Sequence, residues 1–308
     1  MKQPSFLKPG DRIGIVAPAR KVTHGEMSAG MEILKGWGFV PVEGKYLYGS
    51  FNQFSGTDAE RASDFQEMMD DPQIKAIITA RGGYGCMKII DLLNFEKFVK
   101  QPKWIAGFSD FTVFHSHLHR QYQIQSIHSI MLFNMNPDRF DMVAVESLGK
   151  ALTGLETNYA YEGKAYKSLQ RDGKCYGSVV GGNLSLLYAL SKSASDIDTN
   201  GKILFIEDLD EYLYHVDRMI IQLKRAGKLS GLAGLIVGGM NDMRDNETKF
   251  GKSAEEIIRE AVDEYDYPVC FDFPAGHQKD NRALIFGAQA ELNVGSNVSL
   301  NYLNNGCA

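Results

Sequence analysis

The amino-acid sequence predicts an α/β protein with a parallel β-sheet. In its first half, short runs of β-branched and aliphatic residues alternate with helical stretches at the spacing of βαβ units. Polar residues directly follow several of these runs, and a second αβ region begins after a stretch of weak periodicity. Such a sheet is covered by helices on both faces, and its ligands bind at the carboxyl ends of the strands. We therefore expect functional residues directly after strands.

The first half is predicted to form an N-terminal α/β domain at residues 1–135. Pro18, Arg81 and Ser109 each lie at the end of a predicted strand or directly after one, which places them at the carboxyl edge of the sheet. The strands are predicted at residues 12–19, 39–43, 74–80 and 104–108, and the helices at residues 25–37, 57–70, 85–94 and 110–121.

The second half is predicted to form a linker and a further α/β domain. Residues 136–173 lose the periodicity and contain turn-forming groups such as Asn-Pro-Asp and Arg-Asp-Gly, so we interpret them as the linker. Residues 174–308 are the predicted C-terminal domain. Its strands are expected at residues 176–180, 202–207, 232–237 and 282–293, and its helices at residues 183–193, 214–227 and 252–264.

Composition excludes several classes of protein. The chain has 308 residues, enough for two domains with a substantial core. Its net charge of −5, from 33 basic and 38 acidic residues, provides no general attraction to nucleic acid or to anionic lipid. No apolar signal core or membrane span is evident, so we expect a cytoplasmic protein without membrane or nucleic-acid partners. The cysteines lack CxxC spacing and are expected to be reduced thiols; they are Cys86, Cys175, Cys270 and Cys307.

Ser109 is the candidate nucleophile. Residues 104–112 (Trp-Ile-Ala-Gly-Phe-Ser-Asp-Phe-Thr) read as a buried strand that turns at Gly107 and places Ser109 at the start of a helix. Such a turn lifts the hydroxyl out of the sheet, and the first helix amides can stabilise an oxyanion beside it. The alternative is that Ser109 is simply a helix N-cap, a position that serine favours.

The second half contains the groups that an activated serine requires. Glu207 and Asp208 end an apolar strand, and His277 lies in a polar loop at 276–281. Serine needs an adjacent base at neutral pH; histidine suits this role, and a carboxylate fixes its tautomer. Taken separately, Glu207 also fits a solvated strand end or a magnesium ligand, and His277 also fits a histidine in a surface loop. Together they follow the order Ser, Glu, His of some α/β hydrolases, although Gly-Phe-Ser-Asp-Phe is not GxSxG.

Other motifs are weaker. The group Gly-Lys-Ser at 251–253 resembles the end of a phosphate loop, but Asn246 stands where that motif requires glycine. His115, His117 and His119 suggest a metal cluster, yet only the first and third share a helix face and no carboxylate completes a site. The glycine-rich segment 81–85 follows a strand and has amides that suit an anion.

A series of ordered motifs carries a resemblance to a known family. They are Gly-Asp-Arg-Ile at 10–13 through Ala-Pro at 17–18, Ala-Arg-Gly-Gly-Tyr-Gly at 80–85, Gly-Phe-Ser-Asp-Phe-Thr at 107–112, Gly-Gly-Asn-Leu at 181–184, Phe-Ile-Glu-Asp at 205–208, Asp-Arg at 217–218, and Gly-His at 276–277 with Asn281. The chain closely resembles the LD-carboxypeptidases, in the serine peptidase clan that also contains microcin C7 self-immunity proteins. The resemblance runs from end to end.

The resemblance implies a fold and a set of roles. The fold is a flavodoxin- or Rossmann-like N-terminal domain joined to a C-terminal swivelling α/β domain, with the site between them. Ser109 is implied as nucleophile, His277 as general base and then acid, and Glu207 as the group that orients His277. The implied oxyanion hole uses backbone amides of Asp110 and of Gly83 or Gly82. One departure is His128-Ser129-Ile130, where relatives often have His-Gly-Pro, and it affects the expected local shape of the pocket.

The implied reaction is hydrolysis of the amide that links an L-centre to the terminal D-alanine of a murein tetrapeptide, as in cell-wall recycling. Arg81 is a candidate for binding the terminal carboxylate of this peptide, and no metal or organic cofactor is implied. A homodimer is implied because family members often form one. Two alternatives stay open: a microcin-immunity-like hydrolase that cleaves acyl-sulfamoyl or acyl-adenylate amides, and a ligand-binding α/β protein without catalysis.

Overall fold

Two β-sheets form the centre of the molecule in a computed structural model that describes residues 1–136, 139–163 and 165–303. The first has the strand order β11-β5-β4-β3-β1-β2, and the second has the order β10-β9-β8-β7-β12-β13-β6. The strands are β1 (Arg12–Val16), β2 (Val40–Glu43), β3 (Ile74–Thr79), β4 (Trp104–Gly107), β5 (Ser126–His128), β6 (Tyr159–Tyr161), β7 (Gly173–Asn183), β8 (Ile203–Leu209), β9 (Gly234–Asn241), β10 (Val269–Cys270), β11 (Leu284–Phe286), β12 (Gln289–Val294) and β13 (Val298–Tyr302).

Helices cover these sheets, and side-chain caps start several of the helices. Capping boxes start three of them, formed by Thr23 with Glu26, Thr57 with Glu60, and Ser253 with Glu256. The α-helices are α1 (His24–Gly36), α2 (Asp58–Asp70), α3 (Cys86–Ile89), α4 (Glu96–Lys100), α5 (Thr112–His117), α6 (Met142–Thr153), α7 (Leu184–Ala189), α8 (Leu213–Arg225) and α9 (Ala254–Ala261). Within the described ranges, no helix is long and apolar enough to cross a membrane.

The predicted α/β class with parallel strands is confirmed. Strands β1 to β5 are parallel to one another, as are β7 to β10 in the second sheet. The central strands are buried on both faces; all but one residue of β3 is buried, for example. Parallel sheets covered by helices need such continuous apolar strands, which explains why the sequence pattern identified them.

The prediction of one strand at 282–293 is wrong. The chain turns at Gly287, whose φ is +89°, and the two sides of this turn join different sheets. Strand β11 pairs antiparallel with β5 in the first sheet, whereas β12 pairs antiparallel with β7 in the second. The same stretch of chain therefore fastens the two sheets together.

Regular structure also occurs in the segment interpreted as a linker. Residues 136–173 contain helix α6 and strand β6. The buried face of α6 contributes Val145, Leu148 and Leu152 to the core of the first sheet, while β6 pairs with β13 at the edge of the second. The helix predicted at 85–94 is shorter than expected, since α3 passes into a 3-10 turn at Ile90–Leu92. The domain boundaries stay a prediction, and Cys307 lies outside the described residues.

Candidate active site

Ser109 lies directly beyond the carboxyl end of β4, as predicted. Its φ of +63° is in the left-handed region that non-glycine residues rarely adopt, and the chain then enters a 3-10 turn (Ser109–Phe111) and α5. The hydroxyl oxygen lies 3.0 Å from His277 Nε2, and no side-chain cap bond is found at the start of this turn. The N-cap alternative is therefore not what the geometry favours. A strained strand-to-helix turn that exposes a serine hydroxyl is the arrangement expected of a nucleophile.

His277 is held on both sides by hydrogen bonds. Its Nδ1 lies 2.6 Å from Glu207 Oε2, and its backbone N–H donates to the same oxygen at 3.0 Å. The loop that carries it is fixed by Asn281, whose side-chain oxygen accepts from the Gly276 N–H at 2.8 Å, and by Asn241, whose amide donates to the His277 carbonyl at 2.6 Å. These contacts fix the ring so that Nε2 faces Ser109.

Gly276 allows this loop to pass close to Glu207. Its φ is +102°, and a Cβ at this position would lie 2.7 Å from the Glu207 Cβ. Any side chain would therefore combine backbone strain with a steric clash against the carboxylate side chain.

The two neighbouring acids have different contacts. Glu207 is fully buried and contacts His277, whereas Asp208 accepts hydrogen bonds from the Asn183 side chain and from the amides of Ser185 and Leu209. Burial, with repulsion from Glu207, raises the pKa of Asp208 to about 7. Asp208 thus stabilises the start of α7, and Glu207 is the acid that contacts the imidazole.

Opposing effects of burial and of nearby carboxylates set the pKa of His277. Burial lowers the pKa of the imidazole, but attraction to Glu207, the hydrogen bond to it and the more distant Asp208 outweigh burial, so the pKa lies above the ordinary value of 6.5. The site thus stabilises an imidazolium next to a serine hydroxyl. Chemically, this arrangement can remove a proton from the hydroxyl and return it to a leaving group.

The glycine-rich segment after β3 packs against the serine. A Cβ on Gly82 would lie 3.2 Å from the Ser109 Cβ, and within the described ranges the amides of Gly82, Gly83 and Asp110 donate to no backbone carbonyl. Free amides beside the serine hydroxyl can receive a developing negative charge. All the predicted oxyanion residues therefore lie near Ser109.

A buried network that sequence reasoning missed holds this segment in place. The Asp110 carboxylate accepts from the Cys86 amide at 2.8 Å. Arg61, 1% exposed, donates to the Gly85 carbonyl at 3.0 Å and also to the Pro18 carbonyl. One signal was present in the sequence, because Arg61 shares the helix face of the apolar Phe65 and Met68, where a cation must have buried partners.

Arg81 lies in the same cleft as Ser109 and His277, which has a volume of about 600 Å³. Its guanidinium stacks over the Phe133 ring, 4.0 Å from the centroid, and lies 3.6 Å from a Glu26 carboxylate oxygen. The structure therefore brings together Ser109, Glu207, His277 and the three amide candidates, with Arg81 in the wall of their cleft.

The histidines at 115 to 119 are separated by their contacts. His115 bonds to the Ser126 hydroxyl at 2.7 Å, His117 to the Ser195 hydroxyl at 2.8 Å, and His119 to a backbone carbonyl. Burial lowers the pKa of all three. Among the residues that the structure describes, no three His, Cys, Asp or Glu side chains form a group that could hold a metal ion.

The other weak motifs also have structural roles. Ser253, the last residue of Gly-Lys-Ser at 251–253, caps α9. The His128 ring is fully buried, packs against Phe205 and Phe286, and makes no side-chain hydrogen bond within the described ranges.

Two family models and several known proteins match this chain. Residues 13–129 match the model of the LD-carboxypeptidase N-terminal domain, and residues 176–292 match that of the C-terminal domain. A probable murein peptide carboxypeptidase of Bacillus subtilis is 32% identical over 95% of this chain and 92% of its own length. The microcin C7 self-immunity protein MccF of Escherichia coli is 27% identical over 96% and 94%, respectively.

A solved structure extends the comparison to the fold. The muramoyltetrapeptide carboxypeptidase from Oxalobacter formigenes superposes with a TM-score of 0.84 at 27% identity, and the match covers 94% of this chain and 98% of that one. Both family models fall on the two sheet regions, and the relatives match along nearly their whole length. This chain belongs to the LD-carboxypeptidase family.

Proposed function

We propose that this protein is a serine LD-carboxypeptidase that releases the terminal D-alanine from murein tetrapeptides. The observation that carries the proposal is the chain of hydrogen bonds from buried Glu207 through His277 to Ser109, which opens onto a cleft in a member of this family. In this proposal Ser109 is the nucleophile, His277 the base and then acid, and Glu207 the group that orients the imidazole.

The reaction begins with attack of the Ser109 oxygen on the carbonyl of the scissile amide. His277 Nε2 accepts the hydroxyl proton, and Glu207 stabilises the resulting imidazolium. The negative charge on the former carbonyl oxygen is bound by the amides of Asp110 and of Gly82 or Gly83, where one such donor contributes about 3–4 kcal/mol.

Collapse of this intermediate breaks the C–N bond. The imidazolium gives its proton to the departing amine, and D-alanine leaves. A water molecule then loses a proton to His277 and attacks the Ser109 ester, which releases the tripeptide acid and restores the hydroxyl. The residues described suffice for both half-reactions.

A second candidate is cleavage of acyl-sulfamoyl or acyl-adenylate amides. It is favoured by the 27% identity to MccF along nearly all of both chains, and it would use the same three residues with a different occupant of the cleft. The third alternative, ligand binding without catalysis, provides no reason for the strained Ser109 turn and its bond to His277. We further propose a cytoplasmic location, as the sequence analysis predicts, and a homodimer, which the family resemblance implies.

Mass spectrometry of a murein tetrapeptide incubated with the protein tests the proposal. We expect the mass of the tripeptide plus free D-alanine, and no product with Ser109→Ala. If the tetrapeptide stays intact and an aspartyl sulfamoyl adenosine is cleaved rapidly, the second candidate is favoured. If neither compound is cleaved, ligand binding without catalysis is favoured.

A further inference from the structure

Two arginines stack on one aromatic ring at the edge of the cleft, and a third arginine lines the same cleft. The guanidinium carbons of Arg81 and Arg139 lie 4.0 and 3.7 Å from the centroid of the Phe133 ring. Arg20 lines the same cleft, and its aliphatic stem covers Gly83: a Cβ on that glycine would lie 2.6 Å from the Arg20 Cδ. Phe133, Arg20 and Arg81 line the cleft, and together with Arg139 we call them the arginine wall.

The positive charge of the arginine wall is only partly neutralised, since the acids Asp210 and Glu211 that line the same cleft are paired with Arg244 and His215. Among the described residues, the only carboxylate within ion-pair distance of the three guanidinium groups is Glu26, 3.6 Å from Arg81. The other oxygen of Glu26 is already engaged by the Thr23 amide and hydroxyl at the start of α1. Arg20 and Arg139 also lower the pKa of the Arg81 guanidinium, after the larger effect of burial. An anion in the cleft would relieve this repulsion.

The arginine wall lies next to the glycines that pack against Ser109. Arg81 directly precedes Gly82, which packs on the Ser109 side chain, and Arg20 covers Gly83 on the next peptide. In a peptide substrate, the carboxylate of the last residue is three bonds from the scissile carbonyl carbon, about 4 Å. A cation that binds this carboxylate must therefore lie close to Ser109, and Arg20 and Arg81 flank the glycines beside it.

We propose that Arg20 and Arg81 form the subsite for the free carboxylate of the substrate's C-terminal residue. This inference rests on the proposed carboxypeptidase function and deepens it. Guanidinium groups bind carboxylates through paired, charge-assisted hydrogen bonds. Phe133 presents the Arg81 guanidinium by stacking, and Arg139, which also donates to the Phe133 carbonyl at 3.2 Å, supports the ring. The subsite restricts cleavage to the last residue of a chain, because an internal residue carries no carboxylate there.

A pair of substrates isolates the contribution of this carboxylate. The first is a murein tetrapeptide with a free terminal carboxylate, and the second is the same peptide with a terminal carboxamide. For the wild type we expect kcat/KM to be about 10- to 100-fold higher for the acid, the size of a charge-assisted hydrogen bond. Arg20→Gln and Arg81→Gln should each reduce this ratio towards one.

Lys21→Gln is the matched control, since it removes the same charge from an exposed side chain that bonds to Ser50. It should leave the acid-to-amide ratio unchanged. Thermal unfolding checks that each variant is folded. Should Arg81→Gln lose its unfolding transition because Phe133 loses its stacking partner, the exposed Arg20→Gln still tests the subsite.

The outcomes separate this inference from the proposed function. Failure of the wild type to cleave either peptide overturns the proposed function. Cleavage with an unchanged acid-to-amide ratio in both arginine variants overturns the carboxylate subsite alone. An effect of the variants confined to nucleotide-linked peptides would assign the arginines to a phosphate and would also overturn it.

Discussion

Replacing Glu207 by glutamine tests the charge on the acid that contacts His277. The amide is nearly the same size as the carboxylate, and its oxygen can still accept from the His277 ring and backbone. What it lacks is the negative charge, and it can also turn its NH₂ towards Nδ1 and hold the wrong tautomer. The substitution therefore tests electrostatics with little change in shape.

The expected magnitude follows from the two hydrogen bonds that Glu207 Oε2 accepts. The bond from the His277 backbone amide, at 3.0 Å, is the same before and during the reaction, so it positions the loop. The bond from Nδ1, at 2.6 Å, strengthens when the ring becomes cationic. A charged hydrogen bond is worth about 1.5–3 kcal/mol, or one to two decades in rate. Loss of the buried counter-charge adds to this, and we expect kcat to fall by about 10² to 10⁴.

The pH profile provides a second measurement. Because His277 must be neutral to act as base and its pKa is raised, the acid limb of kcat/KM in the wild type should have its midpoint above 6.5. Without Glu207 the effect of burial dominates, so the midpoint should fall below 6.5 in Glu207→Gln. The assay is release of D-alanine from the tetrapeptide between about pH 5 and pH 9.

Asp208→Asn is the matched control, because it makes the same change one residue away. It should affect kcat much less than Glu207→Gln, while stability falls because the NH₂ of asparagine cannot accept the hydrogen bonds that one of the two Asp208 oxygens accepts. If Glu207→Gln left kcat unchanged and Asp208→Asn lowered it strongly, Asp208 and not Glu207 would be the acid that assists His277. If kcat and the acid limb both stay unchanged in Glu207→Gln, the electrostatic reasoning is refuted.

Further predictions concern the nucleophile, the loops and metals. Ser109→Ala should abolish D-alanine release without loss of the thermal unfolding transition; activity near that of the wild type would exclude Ser109 as nucleophile. Gly276→Ala should lose about 1–3 kcal/mol in urea unfolding and also lower kcat, since its Cβ would displace Glu207; unchanged values would contradict the clash. Arg61→Lys keeps the charge but loses the bonds to the Pro18 and Gly85 carbonyls, so kcat should fall more than KM changes in steady-state assays; a change in KM alone would argue against its positioning role. Prolonged chelator treatment should leave turnover unchanged, whereas a loss that zinc restores would contradict a metal-independent reaction.

The sequence predicted those parts of the site that depend on local pattern. Ser109 follows a continuous apolar strand, and Glu207 stands near the end of another, so periodicity alone placed both near a sheet edge. The contact between Ser109 and His277 joins residues 168 positions apart, and no local pattern encodes it. That pairing was indicated by the chemical needs of an activated serine, by the order Ser, Glu, His, and by the ordered motifs of the family resemblance.

The missed features have physical reasons as well. Helix α6 has apolar residues at helical spacing, including Val145, Leu148 and Leu152, but turn-forming groups on both sides concealed it. The division of residues 282–293 between two sheets depends on which edge strand is available, which only the assembled fold decides. The arginine wall is equally nonlocal, because Arg20, Arg81 and Arg139 come from three separate loops.

The division of the chain between two sheets at Gly287 affects how the nucleophile and the base are held together. Only Gly287 and Ala288 separate β11, paired with β5, from β12, paired with β7. The His277 loop lies between β10 of the second sheet and β11 of the first, so its two ends are anchored in different sheets. The distance between nucleophile and base is therefore set before any peptide arrives. A peptide that enters the cleft meets a nucleophile and a base that are already in contact, so its binding energy is not needed to bring them together.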